Sequence, residues 1–548
     1  MRSNARKAAS PPLRQFAVIG LVLAAASLAC VLAPRASTEP MFTAPQGVNR
    51  WTSTLPPLVL ESPVPSPSLE TPESAPSSTP ESDLEDFSES PPSPTPLAEP
   101  TISPTPGLVD SAPVLYYTQA GDTLPVVAVR FGVQPDEITS PDPLPETNLL
   151  NPGQLLLIPN RLADTTASDQ LMPDSEVVFS PSAADFDVAA FADQAGGFLS
   201  THWEFLGSTG MTRGADVVAR VAIENSINPR ILLALLEYES GMVYGPPADP
   251  QKIDYAMGKV DLREKGLYNQ LTWAVSQLSS GYYGWREGRL TEIRFSDGVV
   301  ARLAPDLNAG TAALQYFFGQ LYDSTGWQQA LDPVAGFPAL YERMYGTPWL
   351  RSQAVEPLYP PDLVQPPLIL PFVPDQVWAF TGGPHGAWER DGAWAAIDFA
   401  PGSLVPGCVD SDASAVASAA GLVVRSRNGV VAIDLDGDGR EQTGWVLMYL
   451  HIANKGRVPE GTWVDAGDPL GHPSCEGGFS TGTHIHLARK YNGEWIVADG
   501  PLPFMLSGWT VHAGQKPYEG TLTRDDQVVR ASTMSPFYSR IIRRINDP

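Results

Sequence analysis

Histidine is scarce in this chain, seven residues in 548, yet five of them fall between positions 385 and 486. His385 lies in Gly382-Gly383-Pro384-His385-Gly386, a turn composition that predicts an exposed side chain. Asp398 is an acid flanked by Ala396-Ile397 and Phe399-Ala400, in a segment that reads as a strand. His451 ends the apolar run Val446-Leu447-Met448-Tyr449-Leu450, and His484 and His486 stand two apart in Gly482-Thr483-His484-Ile485-His486-Leu487. In a strand, side chains i and i+2 share a face, so that spacing aims both imidazoles into one cleft and turns Ile485 and Leu487 to the core. Two imidazoles and a carboxylate give zinc three ligands and leave a position for water. Bound zinc acidifies that water and polarises a carbonyl, while two further histidines can accept and donate protons. His472 and His512 read as ordinary core or surface residues.

The surrounding elements suit such a site. From Leu368 onward short strands alternate with Gly, Pro and Asp turns: Val377 to Ala379, Ala396 to Phe399, Gly421 to Arg425, Val430 to Leu435, Trp445 to His451 and His484 to Ala488. This predicts an all-β domain of antiparallel sheets over 365–515, followed by a C-terminal extension over 516–548. Inside it Asp434, Asp436 and Asp438 alternate with Leu435 and Gly437, a pattern open to two readings, a Ca2+ loop or an Asp-Gly hairpin turn. Cys408 and Cys475 lie in the same domain. If an exported chain pairs them, closing so long a loop contributes about 4 kcal/mol; the other reading is two buried thiols.

Tyr449-Leu450-His451, the stretch Gly461 to Gly471 and Ser480-Thr481-Gly482-Thr483-His484-Ile485-His486 resemble, in order and spacing, the lysostaphin-type (LytM-like) zinc endopeptidases of bacterial cell walls. Most of that family places its first histidine four residues before the aspartate, where this chain has Trp394. The β-lytic metallopeptidase branch carries it further upstream, in a Gly-Gly-Pro-His-Gly setting like that of His385, and the cysteine pair is similar to that branch too. The resemblance covers residues 365–515. It implies that His385, Asp398 and His486 hold one zinc ion, that His451 and His484 are catalytic, and that the bond cut is in a cell-wall peptide.

Residues 181–355 carry helical spacing, in Asp216 to Asn225, Ile231 to Glu239, Leu271 to Ser279 and Ala309 to Tyr322. Asn228-Pro229-Arg230 through Glu239-Ser240-Gly241, with Asn308 to Leu314, resembles the all-α, lysozyme-like fold of lytic transglycosylases. That resemblance implies Glu239 as catalytic acid, a carboxyl whose pKa is raised in an apolar pocket. The family's Gly-Leu-Met-Gln loop has only Gly266-Leu267-Tyr268-Asn269-Gln270 as a counterpart. Residues 113–160 predict a strand, two short helices and a closing strand. With Gly121-Asp122-Thr123-Leu124 at the entry and Pro152-Gly153-Gln154 to Pro159 at the exit, they resemble a LysM module, a small α/β fold. This implies binding to peptidoglycan or another N-acetylglucosamine-containing glycan. Pro125 and the proline-heavy Ser140 to Pro145 depart from that pattern. Residues 161–180 read as a linker.

At the N-terminus a basic segment, 1–15, precedes an uncharged apolar run, 16–34, that suits a signal peptide or membrane anchor. Its positive flank keeps the N-terminus cytoplasmic and sends the rest outside the cytoplasm, so the membrane is a partner if the run is retained. Residues 35–112 are rich in Pro, Ser, Thr and Glu, a composition that predicts a disordered linker. A net charge of -26 excludes nucleic acid as a partner, because no basic surface is available to displace its counterions. The chain thus reads as an exported multidomain peptidoglycan hydrolase of the cell envelope, anchored or secreted. Two other readings stand beside it: a non-catalytic wall-binding scaffold or activator, and a bifunctional enzyme that also cleaves glycan at Glu239.

Overall fold

A computed structural model describes residues 112–547 apart from 146–148, 248, 390, 391 and 404. The basic segment, the apolar run and the Pro-rich stretch through residue 111 lie outside the described residues.

The first element pair is built on one buried acid. Strands β1 (Val114–Tyr117) and β2 (Leu155–Ile158) pair antiparallel, with helix α1 (Leu124–Phe131) between them. Thr123 caps α1 by accepting the Val126 N–H, and Pro125 is tolerated because the first turn has no partner for its missing N–H. Asp122 accepts from the Tyr116 hydroxyl at 2.6 Å, from the Gln119 N–H at 2.8 Å and from the Arg130 guanidinium. A 3-10 turn at Pro135–Glu137 completes the strand, two short helices and strand that the sequence predicts.

Four helices carry the next layer: α2 (Gly214–Asn225), α3 (Pro229–Ser240), α4 (Leu267–Arg286) and α5 (Ala309–Leu321). Asn228 caps α3 through its side chain, and Pro229 opens it. Helix α4 outruns its expected end at Ser279 because Tyr282, Tyr283 and Trp285 are also buried. Part of the linker expected at 161–180 belongs to this layer. Met172, Val177 and Val178 are buried in its core, and the intervening acids are paired, Asp174 with Arg286 at 2.9 Å and Glu176 with Arg351 at 3.0 Å. A segment read as polar connector is folded in because each acid finds a cation.

The β region holds a large antiparallel sheet built on β3 (Val377–His385), β4 (Ala396–Pro401), β5 (Gly421–Arg427), β6 (Val430–Asp434), β7 (Trp445–Leu450), β8 (Ile485–Tyr491) and β9 (Arg540–Ile542), beside a separate four-stranded sheet of Met505–Leu506, Trp509–Ala513, Gly520–Arg524 and Gln527–Arg530. Beginning with the short strand Trp463–Val464, the order is β5, β6, β7, β8, β4, β3, β9. The extension expected at 516–548 therefore returns to the sheet, with Ile541 in its core.

Alternation along the strands separates two cores. Phe380, Ile397, Phe399, Leu447, Tyr449, Ile485 and Leu487 fill one. Ala396, Met448, Leu450 and Ala488 point the other way and join Leu232, Leu278 and Phe317 of the helices. The helical and β regions are thus expected as separate domains but share a core. Asp398 and His486 stand two residues from Ala396 and Ala488, on the sheet face that the helical layer packs against. A one-residue slip of β8 would swing Ile485 and Leu487 out of their core and turn His486 into it, burying an imidazole among apolar side chains without a partner, so core packing sets the register of the histidines.

Candidate metal centre

Three neighbouring strands bring the site together. Asp398 on β4 pairs directly with His486 on β8, and Gly382 on β3 lies opposite Asp398 from the other side. His385 closes β3 after two register shifts. The sequence predicts this histidine exposed in a turn; instead it ends a strand and is buried, at 3% exposure. The reason lies 133 positions downstream, where the Tyr518 ring stacks on the imidazole at a centroid distance of 4.1 Å and 22° between planes.

His385 Nε2 stands 3.0 Å from His486 Nδ1 and 3.3 Å from Asp398 Oδ1, and His486 Nδ1 is 3.3 Å from the same oxygen. The outer nitrogens are committed elsewhere. His385 Nδ1 donates to the Gly383 carbonyl at 2.8 Å, and His486 Nε2 to the Ala387 carbonyl at 2.9 Å. The inner nitrogens of the neutral rings therefore carry lone pairs. Both face Asp398 Oδ1, a buried oxygen with no hydrogen-bond partner among the described residues. Three electron pairs converge with no hydrogen between them, an arrangement that a cation satisfies. All three donor atoms lie within 4.8 Å of one another. Two nitrogens and one oxygen suit zinc, and the carbonyl contacts fix each tautomer and ring plane.

The same donor set attracts a proton as well as a metal cation. Burial would raise the Asp398 carboxyl, but the His385 and His484 rings hold it well below the usual carboxylate range. Burial works to lower His385, yet the Asp398 carboxylate outweighs it and the net shift is upward, so acid and metal compete for the same nitrogen.

His451 and His484 flank this triad. Their ring centroids are 4.5 Å apart, and His484 Nε2 is 3.7 Å from Asp398 Oδ1. Each donates Nδ1–H to a carbonyl, His451 to Glu476 and His484 to Gly482, both at 2.8 Å, which turns Nε2 to the cleft. Burial, then the neighbouring His484 and His486 rings, pushes His451 down to about 3, so the ring is neutral at physiological pH. Its backbone is left-handed at φ 67°, a strained setting held by Ser474, whose N–H and hydroxyl both donate to the His451 carbonyl at 2.7 and 3.0 Å.

The remaining candidates lie apart. Glu239 sits near the end of α3 in the helical layer, where its carboxylate accepts from the Tyr322 hydroxyl at 2.7 Å and faces Lys252 Nζ at 3.6 Å. Burial raises its pKa against both partners. Asp434, Asp436 and Asp438 also approach one another within 4.8 Å. The Asp434 carboxylate, however, accepts from the backbone N–H groups of Asp436, Gly437 and Gly439, the bonding of a structural turn, and nothing here supports calcium. His472 bonds the Ala413 carbonyl and His512 the Thr523 hydroxyl, outside the cluster. Cys408 and Cys475 form a disulfide with Cα atoms 5.8 Å apart.

Residues 170–358, which include helices α2 to α5, match the family described as LasA, N-terminal domain, in place of the lytic transglycosylase likeness expected for them. Protease LasA of Pseudomonas aeruginosa strain UCBPP-PA14 is 27% identical over 315 residues, 55% of this chain and 70% of the relative. Protease LasA of strain PAO1 is 28% identical over 322 residues, with the same shares covered. Among solved structures, the M23 metalloprotease Pseudoalterin is 20% identical with a TM-score of 0.27, covering 33% of this chain and 99% of its own. The chain is similar to Protease LasA over more than half of its own length.

Proposed function

We propose that this chain is an exported zinc-dependent endopeptidase that hydrolyses peptide crosslinks of bacterial cell wall. The observation that carries the reading is the convergence of the inner lone pairs of His385 and His486 on the partnerless Asp398 Oδ1. The likeness to Protease LasA supports a peptidase. A zinc ion held by His385, Asp398 and His486 supplies Lewis acidity toward a scissile carbonyl and a water acidic enough to attack near neutral pH. Of the two flanking rings, one accepts the water's proton at Nε2 and the other donates to the departing amine or to the developing oxyanion. The LysM-like segment at 113–160 brings the catalytic region to glycan.

The test measures zinc content of the purified chain and release of peptides from isolated wall. His486→Ala loses both metal and activity; a variant with full activity refutes the assignment. Wall binding that survives chelation, without peptide release, favours the scaffold reading instead. The buried, raised Glu239 carboxyl favours a second reading, in which the helical layer also cleaves glycan. Its signature is new reducing ends or anhydro-sugars that disappear in Glu239→Gln while peptide release continues.

A further inference from the structure

The Cys408–Cys475 bond sits where the supports of the two flanking histidines meet. Cys475 lies between Ser474 and Glu476. Ser474 holds the His451 carbonyl, and the Glu476 carbonyl holds the His451 ring. Cys408 lies between Gly407 and Val409, and both of these hold Thr483, the residue before His484. The Thr483 N–H donates to the Gly407 carbonyl at 3.1 Å. The Thr483 hydroxyl donates to the Val409 carbonyl at 2.6 Å and accepts the Val409 N–H at 2.9 Å. One covalent bond therefore ties the clamp on His451 to the clamp on His484.

Little else secures the Cys408 side. The described residues among 402–414 form no helix or strand, and Cys408 is exposed, so a reductant can reach the bond. The metal ligands are held independently. His385, Asp398 and His486 lie on paired strands, and the ring N–H groups of the two histidines bond the carbonyls of Gly383 and Ala387.

Resting on the zinc-peptidase reading, we propose that the Cys408–Cys475 disulfide is a positioning element that makes turnover, but not metal binding, depend on an oxidising environment. Reduction takes two electrons and two protons and yields two thiols; a water-soluble trialkylphosphine supplies the electrons and leaves as its oxide, and one water supplies both protons and that oxygen. Without the bond, Gly407 and Val409 loosen their hold on Thr483, and Glu476 loosens beside Cys475, and with them the Nε2 atoms of His484 and His451. Displacement of catalytic groups by about 1 Å costs about 10²-fold in rate. The same bond confines activity to compartments where disulfides persist.

The experiment uses the full chain, zinc-loaded and labelled with 15N in histidine, before and after treatment with tris(2-carboxyethyl)phosphine, a reductant that binds zinc poorly, with reduction confirmed by thiol titration. The imidazole N–H signals of His451 and His484, protected by Glu476 and Gly482, are expected to exchange rapidly after reduction, while those of His385 and His486 persist. One zinc per chain is retained, kcat falls about 10²-fold with KM little changed, and reoxidation restores it. The Cys408→Ser/Cys475→Ser double variant behaves like the reduced chain. Persistence of all four signals in the reduced chain overturns the proposal, as does loss of zinc together with the disulfide. The histidine signals report on the brace even if the oxidised chain cleaves no peptide, a result that would count against the peptidase reading alone.

Discussion

Gly382→Ala tests the geometry of the centre without touching any group that does chemistry. A Cβ built on Gly382 falls 2.4 Å from Asp398 Oδ2 and 2.9 Å from its Cγ. Ordinary contact needs about 3.4 Å or more, so the carboxylate must retreat by about 1 Å. The backbone cannot yield instead, because β3 and β8 pair with β4 on both sides of Asp398. Zinc sites tolerate ligand displacements of only about 0.2 Å, so Asp398 is lost as a ligand. Disturbing a group that merely orients a ligand costs 10–100-fold in affinity, and losing the ligand costs at least about 10²-fold, roughly 2.8 kcal/mol. Alanine suits a strand better than glycine, which offsets part of an overpacking cost of about 1–3 kcal/mol, so the metal-free variant still folds. Competition with a chromophoric chelator reads the affinity, and thermal melting of the metal-free chain reads the fold. Zinc affinity and kcat/KM equal to those of the parent, in a folded variant, refute the reasoning.

Other outcomes follow from the same geometry. His451→Ala retains one zinc per chain, because the ring is no ligand, but loses about 10²–10⁴-fold in kcat; metal analysis beside steady-state kinetics checks it. Tyr518→Ala uncovers His385 and weakens zinc binding about tenfold, whereas Tyr518→Phe keeps the stacked ring and stays near the parent in chelator competition. Burial would raise Glu441, but Arg425 and Lys490 hold it down to about 2. Since an unfolded glutamate titrates near about 4.3, the stabilisation is complete above that value and is lost as pH falls toward 2. Denaturation midpoints measured from pH 5 to pH 2 fall accordingly, and Glu441→Gln, less stable at neutral pH, shows a shallower decline.

The site was legible where its residues sit on one strand. The i, i+2 spacing of His484 and His486 places both rings on one face, and Ile485 and Leu487 fill the core as the alternation requires. Asp398 among apolar neighbours likewise reads as an acid inside a strand. His385 reads as exposed because Gly-Gly-Pro marks a turn when taken locally, whereas the ring that covers it comes from Tyr518. No spacing links those two positions; Tyr518 is brought there by the turn between the paired strands Trp509–Ala513 and Gly520–Arg524, whose backbone bonds Gly383 and Pro384. The buried acids Asp174 and Glu176 were read as linker for a related reason, their cationic partners standing 112 and 175 positions away. Core sharing between helices and sheet was equally hidden, since an alanine at 396 or 488 carries no sign of which partner covers it.

The most direct measurement is anomalous X-ray diffraction at the zinc absorption edge on crystals of the full chain. The account predicts one strong peak bonded to His385 Nε2, Asp398 Oδ1 and His486 Nδ1. A chain that carries stoichiometric zinc with its peak elsewhere, or that crystallises from zinc with no peak among these three atoms, contradicts it.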